Sequence, residues 1–166
     1  GDSLHPGGLP LTSRLFDLMG IDSTSRVLDV GAGPGATSVH LARSVGRHVT
    51  GVTLGEDGIV ARIELAADNG VQDRVQLVHG DIMKVDLAGE QFDVIFMEGV
   101  LSILDCKSAA LPRLRALLRP GGRIGLTNVT VSGPLPQDMQ GLLATVGCVG
   151  GALSLGEYGD LMTNQG

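Results

Sequence analysis

Arg26-Val27-Leu28-Asp29-Val30-Gly31-Ala32-Gly33-Pro34-Gly35-Ala36-Thr37 is the stretch on which the reading of the whole chain turns. It is an apolar run holding one carboxylate, then three glycines at alternate positions, then a pattern that restarts with helical spacing. Val27, Leu28 and Val30 suit a strand buried in a parallel sheet. Gly31, Gly33 and Gly35 allow a tight turn in which backbone approaches a ligand without interference from a Cβ. From Ala36 the apolar positions Val39, Leu41, Ala42 and Val45 suit a helix packed on that sheet. Strand, glycine turn and helix make a ligand-binding corner, because free N–H groups at a helix start attract a carboxylate or phosphate.

Asp29 separates the possible ligands. A dinucleotide brings a pyrophosphate to such a turn, and a carboxylate at the strand end would repel it. A cofactor with both an ammonium and a carboxylate, such as the methionyl end of S-adenosylmethionine, suits Asp29 and the helix N-terminus together. Gly31-x-Gly33-x-x-Ala36 also fits the looser dinucleotide fingerprint, so the corner alone leaves both classes open. A purely structural turn is the third reading, and it leaves unexplained why three glycines that weaken local stability are kept.

Length and composition bound the rest. The chain has 166 residues, about one domain. Hydrophobic residues make up 43% but aromatic ones only 2%, with no tryptophan, so the core must be built from Leu, Val, Ile and Ala. Glycine, 26 residues, is about twice its usual share, which fits many tight loops. A net charge of −6 argues against a nucleic-acid surface. No apolar run approaches the ~20 residues of a membrane span, and no basic-then-apolar leader precedes the first helix. Cys106 and Cys148 lack the spacing of a zinc site and make no disulfide scaffold, so no metal is expected. The expectation is a soluble, cytoplasmic protein without membrane or nucleic-acid partners.

In chain order, Gly1 to Pro10 reads as a Gly/Pro loop, and Thr12 or Ser13 as the cap of a helix with apolar face Leu15, Phe16, Leu18 and Met19, ending at Gly20. After the opening strand and helix, His48 to Leu54 is a second strand, then comes a helix from about Ile59 to Asn69 closed by Gly70. Val75 to His79 is a third strand running into Gly80-Asp81, and Phe92 to Met97 a fourth. Ser108 caps a helix carrying Leu111, Leu114, Leu117 and Leu118, stopped by Pro120-Gly121-Gly122 before a fifth strand from Arg123 to Val129. The alternation implies a mostly parallel sheet with helices on both faces.

Ligands of such sheets bind at the carboxyl ends of the strands, where strand order reverses. Four of the five strands end in a candidate contact: Asp29, then Thr53 with Glu56 shortly after, then Asp81, then Glu98. Asp81 stands out, since a carboxylate beside an adenine can accept from its exocyclic amine.

Val27-Leu28-Asp29-Val30-Gly31-Ala32-Gly33-Pro34-Gly35, Gly80-Asp81, Phe92-Asp93-Val94-Ile95 and Leu118-Arg119-Pro120-Gly121-Gly122 resemble, in order and spacing over roughly residues 11–130, the successive motifs of class I S-adenosylmethionine-dependent methyltransferases. The resemblance implies a Rossmann-like open sheet of order 3-2-1-4-5. It also implies that Asp29 and the turn Gly31, Gly33 and Gly35 hold the methionyl end of S-adenosylmethionine, and that Asp81, with Ile82 beside it, recognises the adenine. Where the family usually has an acidic residue for the ribose hydroxyls, Thr53 stands, followed by Leu54; Thr53 and Glu56 are both candidates for that role. The chain divides into an N-terminal loop and helix flap (1–20), a cofactor-binding core (21–130) and a helical cover segment (131–166) of one domain.

Cys148-Val149-Gly150-Gly151-Ala152 and the segment up to Tyr158 are similar to a cysteine–glycine–glycine–alanine segment of arsenite methyltransferases, in which a thiolate binds trivalent arsenic; Cys148 is thereby a candidate substrate ligand. Those proteins supply a partner cysteine after the fourth strand, where this chain has Glu98-Gly99-Val100, and one thiol cannot chelate. A small apolar residue packed in a helix is the competing reading of Cys148, and only the fold relationship carries over. The usual fold adds two further strands beside the fifth, and the sequence stops at Gly166 where they would begin. The fifth strand is therefore expected to be an open edge, covered by residues 131–166, by a second copy of the chain, or by a missing remainder.

The expected reaction is an in-line methyl transfer to a small-molecule acceptor, which needs alignment and exclusion of water more than it needs a base. If a base acts, Glu98 is the candidate, with His5 and His79 behind it. His5-Pro6-Gly7-Gly8 is read either as a flap over the cofactor or as a flexible terminus. Two alternatives stand beside this: a cofactor-binding domain without catalysis, and a nicotinamide oxidoreductase.

Overall fold

Val27–Val30 (β1) is buried at all four positions, as expected of a strand with strands on both sides and helices on both faces. The computed structural model describes residues 5–46, 48–55, 57–87, 89–134 and 148–164, and in it β1 is the central strand. Around it lie Val49–Thr53 (β2), Val75–His79 (β3), Phe92–Glu98 (β4) and Leu118–Thr127 (β5), in the order β3-β2-β1-β4-β5 and all parallel. The sheet is thus the expected open, Rossmann-like one, and its order reverses between β1 and β4.

Helices Gly8–Met19 (α1), Ala36–Val45 (α2) and Asp57–Asp68 (α3) alternate with the first strands, and Lys107–Ala116 (α4) and Leu155–Thr163 (α5) follow. Two apolar cores result, one on each side of the sheet. Val27, Val49, Val94 and Phe96 pack with Met19, Val39, Leu41 and Ala42 on the α1/α2 side. Leu28, Val30, Ile95 and Met97 pack with Ala110, Leu114, Leu117 and Tyr158 on the other.

The first helix begins earlier than its polar residues suggest. Gly7, at φ 91°, turns the chain into α1, and Pro10 falls in the first turn, where a missing N–H costs nothing. Thr12 is therefore a fully buried residue inside the helix and not its cap. Leu15 and Phe16 do face the core, but Leu18 is 72% exposed. Glycine at 125 lets α1 press onto β5, since a Cβ there would lie 3.2 Å from the Leu15 side chain.

Residues 118–122 also depart from expectation. Helix α4 is entered at Cys106 and ends at Ala116, and Leu118 already belongs to the sheet. Phe92 pairs with Leu118 and Val94 with Arg123, so Pro120-Gly121-Gly122 forms an irregularity within β5 and not a break before it. The tail is tied to the segment that follows β5, where the Val131 N–H donates to the Leu153 carbonyl at 3.1 Å. Helix α5 then opens on a capping box of Ser154 and Glu157 and buries Tyr158. The segment 135–147, part of the expected cover, lies outside the described residues.

Candidate functional site

The parallel register brings the carboxyl ends of all the strands to one edge, and there the chain makes a hollow of about 310 Å³. Asp29, Gly31, Gly33 and Thr37 form one wall, and Glu98, Gly99, Val100 and Ile103 the other, with His5 and Cys148 closing it. The glycine turn behaves as its composition requires. Gly31, Gly33 and Gly35 have φ of 75°, 48° and 85°, a region side-chain-bearing residues seldom enter. The Gly31 and Ala32 N–H groups donate to the Val52 carbonyl, tying the turn to β2. Gly35 opens α2 without any side-chain cap, so the first N–H groups of that helix lie beside the hollow, among residues that line it.

Asp29 is 2% exposed, and the Ser38 hydroxyl donates to its Oδ2 at 2.6 Å. Ser38 sits three residues after the Gly35 cap, so helix geometry aims it back at the strand end. Gly51, the register partner of Asp29, leaves the necessary room: a Cβ there would stand 2.9 Å from Ser38 Oγ and 3.0 Å from the Ala32 Cβ. Gly51→Ala is accordingly expected to cost about 1–3 kcal/mol by overpacking and to push the serine off Asp29. Denaturant unfolding measures the first effect, and ligand titration the second.

Glu98 is 8% exposed and fixed through one oxygen only. Oε2 accepts from Thr12 Oγ1 at 2.9 Å and from Thr37 Oγ1 at 3.2 Å, and His5 Nε2 lies 3.3 Å from it. Oε1 is buried and has no hydrogen-bond partner among the described residues. Cys148 closes the hollow at φ 57°, the one described residue other than glycine in the left-handed region. Its sulfur packs on Gly99, where a Cβ would approach it to 2.9 Å, and burial pushes the thiol pKa up.

The other expected contacts lie along the same edge but outside this hollow. Thr53 is 6% exposed, and its Oγ1 accepts from the Gly55 N–H at 3.4 Å; Leu54 beside it is 71% exposed. Glu56 lies outside the described residues. Asp81 follows β3, two strand spacings or about 10 Å across the edge from β1. Its Oδ1 accepts from the Met83 N–H at 2.9 Å, and its Oδ2 lies 3.7 Å from Lys84 Nζ. Ile82 is 5% exposed and belongs to the core under the edge. His79 is turned aside, its Nε2 3.0 Å from the Leu54 carbonyl oxygen.

The sequence reading missed Thr12, Thr37, Ser38 and Gly51. Gly51 carried a signal, a glycine inside a strand pattern, which often marks a close approach. Thr12 reaches Glu98 across 86 residues of chain, a juxtaposition no local pattern encodes. Among the described residues no three His, Cys, Asp or Glu side chains gather to hold a metal ion, and no helix is long and apolar enough to cross a membrane.

Comparison with known proteins matches residues 27–122 to a family described as a methyltransferase domain. The 27-O-demethylrifamycin SV methyltransferase of Amycolatopsis mediterranei is 28% identical over 152 residues, covering 89% of this chain and 56% of that protein. An arsenite methyltransferase of Halobacterium salinarum is 29% identical over 143 residues, covering 84% of this chain and 36% of that protein. Among solved structures, a SAM-dependent methyltransferase from Geobacter sulfurreducens in complex with S-adenosyl-L-homocysteine aligns with a TM-score of 0.76 at 25% identity, over 97% of this chain and 66% of that one. The chain spans about half the length of the first curated relatives it matches.

Proposed function

The chain belongs to the methyltransferase domain family, and from that premise we propose that it moves a methyl group from S-adenosylmethionine to a small-molecule acceptor. The observation that carries this reading is the meeting of a buried carboxylate, Asp29, with a left-handed glycine turn and an uncapped helix start. A zwitterionic amino-acid head needs the three together: a carboxylate for its ammonium, N–H donors for its own carboxylate, and no side chain where backbone comes close. A pyrophosphate would use the donors and be repelled by Asp29. The Geobacter neighbour's S-adenosyl-L-homocysteine, the demethylated form of the cofactor, supports the same ligand here.

In this reading Asp29 takes the methionyl ammonium, and the Gly31–Gly35 turn and the start of α2 take the carboxylate. Asp81 accepts from the adenine amine, with Ile82 beneath the ring, while Thr53 and the exposed Leu54 lie under the ribose between them. When bound, the cofactor supplies a methyl group already activated by the sulfonium charge. The chain's own work is alignment and exclusion of water. His5 and Thr12 serve that end, since both are tied to Glu98 at the mouth of the hollow. In the same reading Glu98, which lines the hollow, takes a proton from the acceptor, and Cys148 serves as wall.

Calorimetry with S-adenosylmethionine and with NAD tests the assignment. The expected result is saturable binding of the first, competed by S-adenosylhomocysteine, and none of the second; preference for NAD would reverse it.

A further inference from the structure

Resting on that cofactor reading, we infer that the unpartnered Oε1 of Glu98 is the acceptor-recognition point and that the acceptor brings an N–H or O–H to it, as an uncharged or cationic amine or hydroxyl compound. A buried carboxylate oxygen without a hydrogen bond is expensive, and native structures keep such a group where a ligand completes it. Glu98 Oε1 is buried and unpartnered among the described residues, and its residue lines the hollow. The other oxygen is held by Thr12 and Thr37, so the carboxylate has a fixed orientation and one oxygen left for a ligand.

Register then separates Glu98 from the methionyl head. Asp29 pairs with Phe96, and Glu98 lies two residues further along β4 on the same face, about 6–7 Å nearer the mouth. The deeper carboxylate is positioned for the amino-acid head, and the outer one stands where the methyl group and the incoming nucleophile meet. Among the described residues the lining has two carboxylates and no lysine or arginine, which disfavours an anionic acceptor. A soft metalloid is disfavoured too, because the described lining holds a single thiol, Cys148, whose pKa burial pushes up. In the step itself the acceptor's lone pair forms the new bond to the methyl carbon. The C–S bonding pair goes to the departing sulfur, and the acceptor's N–H or O–H proton passes to Glu98 Oε1.

The test compares two cofactor analogues by calorimetry: S-adenosylhomocysteine, with a bare sulfur at the transfer point, and sinefungin, which carries an amine there. The wild-type protein is expected to bind sinefungin about tenfold more tightly, the effect of one charge-assisted hydrogen bond. Glu98→Gln is expected to erase that preference while leaving S-adenosylhomocysteine affinity within about twofold, since the glutamine keeps an acceptor for the threonines. Equal wild-type affinity for the two analogues overturns the inference without any variant being needed. Equal weakening of both by Glu98→Gln also overturns it, assigning Glu98 to the methionyl head or to the fold. Failure of the wild-type protein to bind either analogue overturns the cofactor reading itself.

Discussion

Asp29→Asn is expected to weaken S-adenosylmethionine binding thirty- to a hundredfold, the equivalent of about 2–3 kcal/mol for a charge-assisted hydrogen bond replaced by a neutral one. The substitution removes the charge at nearly constant volume. Asparagine fills the same space beside Gly51 and still accepts from the Ser38 hydroxyl. Stability should move the other way or not at all, because a carboxylate that is 2% exposed is held in the fold at a desolvation cost. The pairing of unchanged or raised Tm with lost affinity distinguishes a residue kept for binding from one kept for structure. Melting curves with and without S-adenosylhomocysteine read both quantities in one experiment. A stability loss larger than the affinity loss would reassign Asp29 to the scaffold.

Phe96→Ala carries the largest expected stability effect, about 3–5 kcal/mol, or a Tm lower by roughly 8–16 °C for a chain of this size. Phe96 is 0% exposed and pairs in register with Asp29 on the face covered by α1 and α2. With aromatics at 2% of the chain, it is one of only three phenylalanines, and of the other two only Phe16 packs against the same cluster. The cavity would open beside Asp29, at the level of the deeper of the two carboxylates. Cofactor affinity is therefore expected to fall alongside stability, in contrast to the Asp29 variant. Chemical denaturation measures the loss; a value below about 1 kcal/mol would mean that the site collapses around the missing ring.

The inner strands were legible because their burial is two-sided. Val27–Val30 read from an apolar run holding one carboxylate, Val75–His79, an edge strand with no fully buried residue, from the turn that follows it, and the glycine turn announced itself by spacing. Helix starts were less legible. Thr12 looked like a cap because a threonine before an apolar stripe usually is one, yet the left-handed Gly7 and Pro10 in the first turn set the start, and burial gave the hydroxyl a partner from β4. Pro120-Gly121-Gly122 was read as a helix stop because proline and glycine usually punctuate; here the sheet continues past them with an irregular register. Asp29 and the glycines could be chosen as site residues from local pattern. The clasp of Thr12, Thr37 and His5 on Glu98 could not, since it exists only after four separate segments have come together.

The position of β1 has a kinetic consequence. Its neighbours are β2, close by in the chain, and β4, whose pairing begins 67 residues away, as the contact between Arg26 and Asp93 records. Closing a loop of that length costs about 4 kcal/mol of chain entropy before any contact offsets it, which places refolding toward the slower end for small domains. During synthesis the first three strands can emerge and associate, but the wall bearing Glu98 does not yet exist. The cleft is thus completed late, when the second half of the sheet docks, and a nascent chain cut short before β4 would hold Asp29 without the wall it faces.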